Sequence, residues 1–400
     1  METLKKPSSS VYLYVTSLLI LLACLGIGLA IALRKPLWGD EVLSLNLIIH
    51  SSYPVLLSHP IPEGNVCHFF YILQRLIFDV SGFTLPPQWE AGQWDFVYPY
   101  GWVIVRLNPV FFMSLSIVLI YYYFSRFYSK SAGWFSVFIS LSSYMVWGYW
   151  AEARPYAVWF FLITAQLLLF LRVVDSRNFS RLTWIVLVIV HLFLSFTSIL
   201  SVALIGIVSL LLWIYVDKDW RKYILLTVLP SSICLLYYLY SPKWQWRFES
   251  SPMELIGASI SKDRFMIIFI FAVALFFNFW QKKIKAGRIF SDDSTRVGVP
   301  YLILTLLMIL SAFAIIFMLK LGATTSREGF EIPGRYFIYL TPVGIIAIML
   351  FSVQLWRAFQ GRPRMLIIGT LAIGGLVLFR ALRTFALAKG FYFFSANNSF

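Results

Sequence analysis

Two acids stand together at Asp40 and Glu41, in the stretch Leu37-Trp38-Gly39-Asp40-Glu41. A third, Glu152, lies in Tyr149-Trp150-Ala151-Glu152-Ala153-Arg154-Pro155-Tyr156. A carboxylate within hydrogen-bond reach of a hydroxyl can take its proton as that oxygen begins to attack. Arginine complements such a base, because its planar guanidinium grips a phosphate at two points. Arg154, and Arg335 in Pro333-Gly334-Arg335-Tyr336, are placed for that task. His59, His68, Arg75, Arg106, Arg247 and Arg327 complete the polar candidates, and His191 stands inside a long apolar run.

Each of these residues also has a plainer reading. An acid pair at a helix start caps free N–H groups and meets the favourable end of the helix dipole. Glu152 with Arg154 makes a local surface pair, which contributes little. A lone interfacial histidine is more often a packing residue than a ligand. Arg106 and Arg335, near the starts of apolar runs, can snorkel to water. Cys24, Cys67 and Cys234 show no metal-binding spacing.

The elements that carry these residues decide between the readings. Of 400 residues, 60% are apolar or aromatic and only 13% are charged, against about 25% charged in a soluble chain. No soluble surface hides so much apolar material, so lipid is the natural solvent. That composition excludes a disordered chain, a nucleic-acid binder and a disulfide scaffold, whatever the net charge of +15.

Apolar runs predict spanning helices at 11–33, 107–124, 133–150, 156–171, 182–198, 200–216, 223–240, 265–280, 299–319, 335–355 and 365–385. Each is near the ~17–25 residues that a crossing needs. The expected class is an all-α polytopic membrane protein of eleven spans. Residues 1–400 are expected to form one integral membrane domain with no soluble C-terminal domain, the bundle continuing over 107–385. The first run follows Lys5 and Lys6 and is too long for a cleaved signal, so the N-terminus is expected in the cytoplasm. The short loops 125–132, 172–181, 217–222, 281–296 and 356–364 are rich in Lys and Arg, which assigns them to the same side. Because 172–181 and 217–222 are both basic, an even number of spans must separate them, so 182–216 is predicted to hold two helices.

One connection is unlike the rest. Residues 34–101 form a first outer loop too apolar for a solvated tether. Within it Val66, Phe69, Phe70, Leu73, Leu76, Ile77 and Val80 recur at helical spacing, with His68, Arg75 and Asp79 opposite. That pattern predicts an amphipathic helix lying in the membrane plane with its apolar side in lipid. The stretch 42–57 is expected to form a second such helix. Asp40, Glu41 and Glu152 then share one outer membrane level, where ionisable groups are functional candidates by default.

Taken together, Asp40-Glu41, the loop segment His68-Phe69-Phe70-Tyr71-Ile72-Leu73-Gln74-Arg75-Leu76 and Glu152-Ala153-Arg154-Pro155-Tyr156-Ala157 resemble the GT-C glycosyltransferases. The nearer likeness is to the bacterial family-39 branch, similar to protein O-mannosyltransferases and aminoarabinose transferases of lipid A. The resemblance runs most clearly over 36–175 and returns weakly at Gly334-Arg335-Tyr336-Phe337. It implies transfer of a sugar from a polyprenyl-phosphate donor to an acceptor hydroxyl at the non-cytoplasmic face, with inversion. The acceptor, whether protein, lipid or glycan, is left open, and a bacterial inner membrane is the implied location. Asp40 takes the place of the catalytic base and Glu41 that of its partner. Arg154, Arg335, His59, His68 and Arg75 fall to the donor phosphate. Glu152, with Asp40, corresponds to a position that helps some relatives hold a divalent cation, Mg²⁺ or Mn²⁺. Where many relatives carry His-Pro-Pro, this chain has Val66-Cys67-His68, with His59-Pro60 upstream. Either His59 or His68 inherits that role.

The implied chemistry suits the residues. The leaving group is already an anion and needs charge stabilisation more than a proton, which arginine or a bound cation supplies. One inverting step needs one base, whereas a retaining glycosidase needs two close carboxyls. The competing readings are a lipid-linked sugar flippase or transporter, a membrane-embedded polymerase or ligase using a lipid diphosphate-linked glycan, and a non-catalytic subunit of glycan assembly. A transporter tends to show internal repeats and helices broken at mid-membrane, and no repeat is visible here.

Overall fold

The computed structural model describes residues 10–35, 37, 39–58, 68–84, 99–176, 180–198, 200–240, 292–319, 323–324, 330–331, 338–359 and 363–392. The described chain is almost entirely helical. Among the described residues three helices, over Val11–Ala32, Tyr100–Phe127 and Tyr156–Ser176, are long and apolar enough to cross a membrane, which is consistent with a membrane-embedded helical protein. Leucines on their outer faces, such as Leu18, Leu19 and Leu22, are exposed as lipid-facing residues would be. The expected span at 265–280 lies outside the described residues.

By internal contacts the chain divides into two compact units. The first holds α1 (Ser10–Ala32), α2 (Gly39–His50), α3 (Tyr53–Ser58), α4 (His68–Ser81), α5 (Pro99–Phe127), α6 (Lys130–Leu141) and α7 (Tyr144–Tyr149). It also takes the first turns of α8 (Tyr156–Ser176) and the last turns of α14 (Pro363–Tyr392). The second unit holds the rest of α8 and α14 with α9 (Arg181–Ser195), α10 (Leu200–Tyr215), α11 (Arg221–Tyr240), α12 (Asp292–Leu319) and α13 (Leu340–Phe359). A two-residue antiparallel ladder pairs Ala323–Thr324 with Phe330–Glu331. The stretch 182–216 does contain two helices, parted at Phe196–Ser198.

In the first unit, α1 packs along α5. Leu13, Ile20, Cys24 and Ile31 recur at helical spacing and are buried. Gly28 continues that stripe: a Cβ there would stand 2.7 Å from Val110 Cγ1 and 2.8 Å from the Trp150 indole nitrogen. A small residue at the crossing therefore sets how closely the helices approach. Trp150 is fully buried and its indole donates to Ser114 Oγ at 3.2 Å.

The expected span 133–150 is not one helix. It breaks at Ser142–Ser143 into α6 and α7. Ser136, Ser140 and Ser142 bond back to carbonyls one turn earlier, a habit that competes with the regular helical ladder. The carbonyls left over at the break find other donors. Trp147 reaches the Leu141 carbonyl at 2.6 Å, and Thr384 of α14 reaches that of Ser142 at 2.8 Å.

The first outer loop also differs from expectation. The element foreseen at 42–57 is two helices, α2 and α3. On α4 the expected lipid-facing stripe is divided. Of that stripe Phe70 is buried while Leu76 and Val80 are exposed, and Tyr71, Gln74 and Phe78, which lie off it, are buried too. The helix therefore turns its deepest face to α2, α3 and α5. The aromatic rings and the glutamine find a protein surface there, which the period of the sequence alone cannot distinguish from lipid.

Candidate active site

Three acids and three bases of the first unit gather near the ends of its helices. Asp40 and Glu41 occupy the first turn of α2, as their cap-forming chemistry predicts. Glu41 is fully buried, and its Oε1 accepts from the Ala153 amide at 2.7 Å. Its Oε2 stands 3.2 Å from Arg106 Nη2, and neither side chain touches solvent. Arg106 does not snorkel: it donates to the carbonyl of Ala32 at 2.8 Å and to that of Lys35. A guanidinium at the C-terminal end of α1 meets the negative end of the dipole and fills its unpaired carbonyls.

Glu152 lies in the tight turn between α7 and α8, where the Arg154 amide bonds back to the Glu152 carbonyl at 2.7 Å. Lys35 Nζ sits 3.4 Å from Glu152 Oε2 and donates to the Gly148 carbonyl at 3.1 Å. Glu152 Oε1 is buried without a hydrogen-bond partner. Loss of hydration raises the Glu152 pKa above the usual carboxylate range; Lys35 and Arg154 pull it back, and the Glu41 carboxylate adds to the rise.

Arg154 is also buried. Its Nη1 donates to Ser44 Oγ at 2.9 Å and to the Asp40 carbonyl at 3.2 Å. Its Nη2 reaches the Tyr156 hydroxyl at 3.3 Å and stands 3.8 Å from Asp40 Oδ2. Asp40 differs from the other two acids: its side chain is 28% exposed. The cluster thus presents one solvent-reached carboxylate on a buried, charge-balanced base.

Asp40, Glu41, Glu152 and Arg154 therefore come together. Arg75 does not join them. It donates to the carbonyls of Ile48, Ile49 and Ser51 at the far end of α2. At 1.5 Å per residue that is on the order of 14 Å from Asp40. His59, Arg335, Arg247 and Arg327 lie outside the described residues, and so does the side chain of His68, which opens α4. Lys35 and Ser44 were not foreseen. The signal available for Lys35 was charge: the strong bases Arg34, Lys35, Arg106 and Arg154 stand with the three acids at the ends of the first three apolar runs.

Three bases against three acids leave no net negative charge to attract a divalent cation. Among the described residues, no three of His, Cys, Asp and Glu gather closely enough to hold one. The expected Asp40–Glu152 metal pair thus meets Arg154 and Lys35 where it would need further ligands. No family model matches the chain, and no curated protein matches it.

Proposed function

We propose that this protein is a membrane glycosyltransferase, moving a sugar from a polyprenyl-phosphate donor to an acceptor hydroxyl with inversion. In this reading eleven helices span a bacterial inner membrane, with the N-terminus in the cytoplasm and the site at the outer face. The observation that carries it is Asp40, an acid reached by solvent and held beside a buried guanidinium at the ends of apolar helices. Glu41, by contrast, is spent on fastening, with its carboxylate taken up by the Ala153 amide and Arg106.

Asp40 accepts the hydroxyl proton while the acceptor oxygen attacks the anomeric carbon. The bond from that carbon to the phosphate oxygen breaks on the opposite side, and the polyprenyl phosphate leaves with the electron pair. Glu41 and Arg106 fasten α2 to α1 and to the 150–155 turn, which fixes where Asp40 stands. Arg154 borders the same space. Arg335 and one of His59 and His68 are assigned to the leaving phosphate by the sequence resemblance.

A flippase draws support from the α6–α7 break, since transporters favour discontinuous helices at their sites. Here Trp147 and Thr384 occupy the Leu141 and Ser142 carbonyls at the break, which argues against a substrate site at that point. The test is release of polyprenyl phosphate by purified protein in lipid. It is offered a panel of polyprenyl-phosphate sugars with envelope extract as acceptor. Sugar-dependent release that falls by about 10²–10⁴-fold in Asp40→Asn is expected. Equal release from both proteins would remove Asp40 as the base.

A further inference from the structure

Ser44 sits one turn beyond Asp40 on α2 and is buried among three polar partners. Its Oγ bonds to the Asp40 carbonyl at 2.9 Å, receives Arg154 Nη1 at 2.9 Å and lies 3.4 Å from the Tyr71 hydroxyl. A hydroxyl has one hydrogen and two lone pairs. The carbonyl only accepts and the guanidinium only donates. The Ser44 hydrogen therefore goes to Asp40, and both lone pairs face donors, Arg154 and Tyr71. All three directions are fixed without conflict.

We propose that Ser44 and Tyr71 are positioning residues that hold the Arg154 guanidinium against residue 40. They extend the proposed transferase site to α4, and the inference rests on that reading only for its catalytic meaning. The tether has a structural logic of its own. Arg154 is a long side chain whose free rotation costs order. With Nη1 anchored at Ser44, its Nη2 edge stays turned toward the Asp40 carboxylate. Tyr71 is fully buried on α4, so a shift of that helix carries its hydroxyl away from Ser44. Gln74 secures the same face of α4, donating to the Ile104 carbonyl at 3.1 Å. Through this hydroxyl pair α4 reaches the site.

The tether is testable without knowing donor or acceptor. A thiol beside a guanidinium ionises at lower pH. In Asp40→Cys, with Cys24, Cys67 and Cys234 replaced by Ala, the pH midpoint of maleimide labelling reports how near Arg154 is held. Adding Arg154→Gln should raise the midpoint by about 1 unit, Ser44→Ala by roughly half as much or more, and Tyr71→Phe by less. Ser44→Thr keeps the hydroxyl and should restore the original value. Tyr71→Phe keeps the ring and its packing, so it remains informative if Ser44→Ala fails to fold. Unmoved midpoints in Ser44→Ala and Tyr71→Phe, with a shift in Arg154→Gln, would overturn the tether. No shift in Arg154→Gln would overturn it as well, since the guanidinium would then not border residue 40. The two readings fail separately: unaltered turnover in Asp40→Asn removes the base and leaves the labelling result intact.

Discussion

Among the described residues, each unit buries a polar cluster, and the two are built on opposite terms. In the first, Asp40, Glu41 and Glu152 face Lys35, Arg106 and Arg154, with Asp40 open to solvent. In the second, His191 of α9 is fully buried among neutral groups. Its Nδ1 lies 3.1 Å from the Thr227 carbonyl on α11, and its Nε2 lies 3.0 Å from the Gln166 amide nitrogen on α8. A carbonyl only accepts, so Nδ1 carries the hydrogen and Nε2 accepts, the pattern of a neutral imidazole. Ser209 of α10 joins through the Thr227 hydroxyl at 3.3 Å. The His191 cluster links four helices and exposes nothing. The charged cluster fastens helices too, but it leaves an acid at an opening. Burial of polar groups is thus no mark of function by itself; what distinguishes the first cluster is an ionisable group that solvent can reach.

That contrast breaks first at Arg106. Arg106→Met leaves Glu41 charged and buried without its ion-pair partner, and strips the end of α1. The expected loss is about 3–5 kcal/mol, read as a lower unfolding temperature in detergent. Removing the partner as well, in Glu41→Gln with Arg106→Met, should recover much of it. A single variant as stable as wild type would show that the ion pair is not the fastening it is taken to be.

His191→Phe is the matching change in the second unit. It removes a donor from the Thr227 carbonyl and the acceptor facing the Gln166 amide, at about 1–3 kcal/mol. Turnover per folded molecule should stay at the wild-type level, as a purely architectural histidine requires. A fall in turnover with stability unchanged would make the second cluster functional and erase the distinction.

The two clusters were not equally legible in the sequence. Three long apolar helices were, because runs of Leu, Ile, Val and Phe report the solvent directly, and the basic loops placed two helices in 182–216. Asp40, Glu41 and Glu152 also stood out, since acids are scarce at the edges of such runs. Their partners did not. Arg106 is 65 residues from Glu41 in sequence, and nothing local marks it as buried rather than snorkelling. Ser44 and Tyr71 read as ordinary residues on helix faces, and Lys35 as one more base past the end of a span. The α6–α7 break was hidden because serines inside an apolar run keep the run apolar. Pairing across distant segments is a tertiary fact, and hydropathy carries no record of it.

Glu152 sharpens the contrast through pH. Its folded pKa is raised, so between about pH 4.5 and that raised value the native state holds a proton that the unfolded chain releases. Its contribution to stability is therefore greatest below that window and declines as pH rises through it. Thermal unfolding of wild type and Glu152→Gln across pH 4.5–8 should diverge in slope, with the wild type losing more stability toward high pH. Parallel curves would mean that Lys35 fully offsets the loss of hydration at Glu152.

The smallest effect is expected at Asp79, an ion pair of a third kind. Arg75 Nε meets Asp79 Oδ1 at 3.0 Å within one turn of α4, and the Tyr53 hydroxyl donates to Oδ2 at 2.7 Å. The pair is well formed but open to water, where screening and side-chain entropy consume most of the attraction. Asp79→Asn keeps an acceptor for Tyr53 and removes only the charge, so the loss should stay below about 1 kcal/mol. Arg75→Ala should cost more, because it also uncaps the Ile48, Ile49 and Ser51 carbonyls at the end of α2. Unfolding temperatures of the two variants settle the order. An equal and large loss from both would mean that the charge pair itself, rather than the cap, holds α2 to α4, and that burial is a poorer guide to the strength of these pairs than the two clusters suggest.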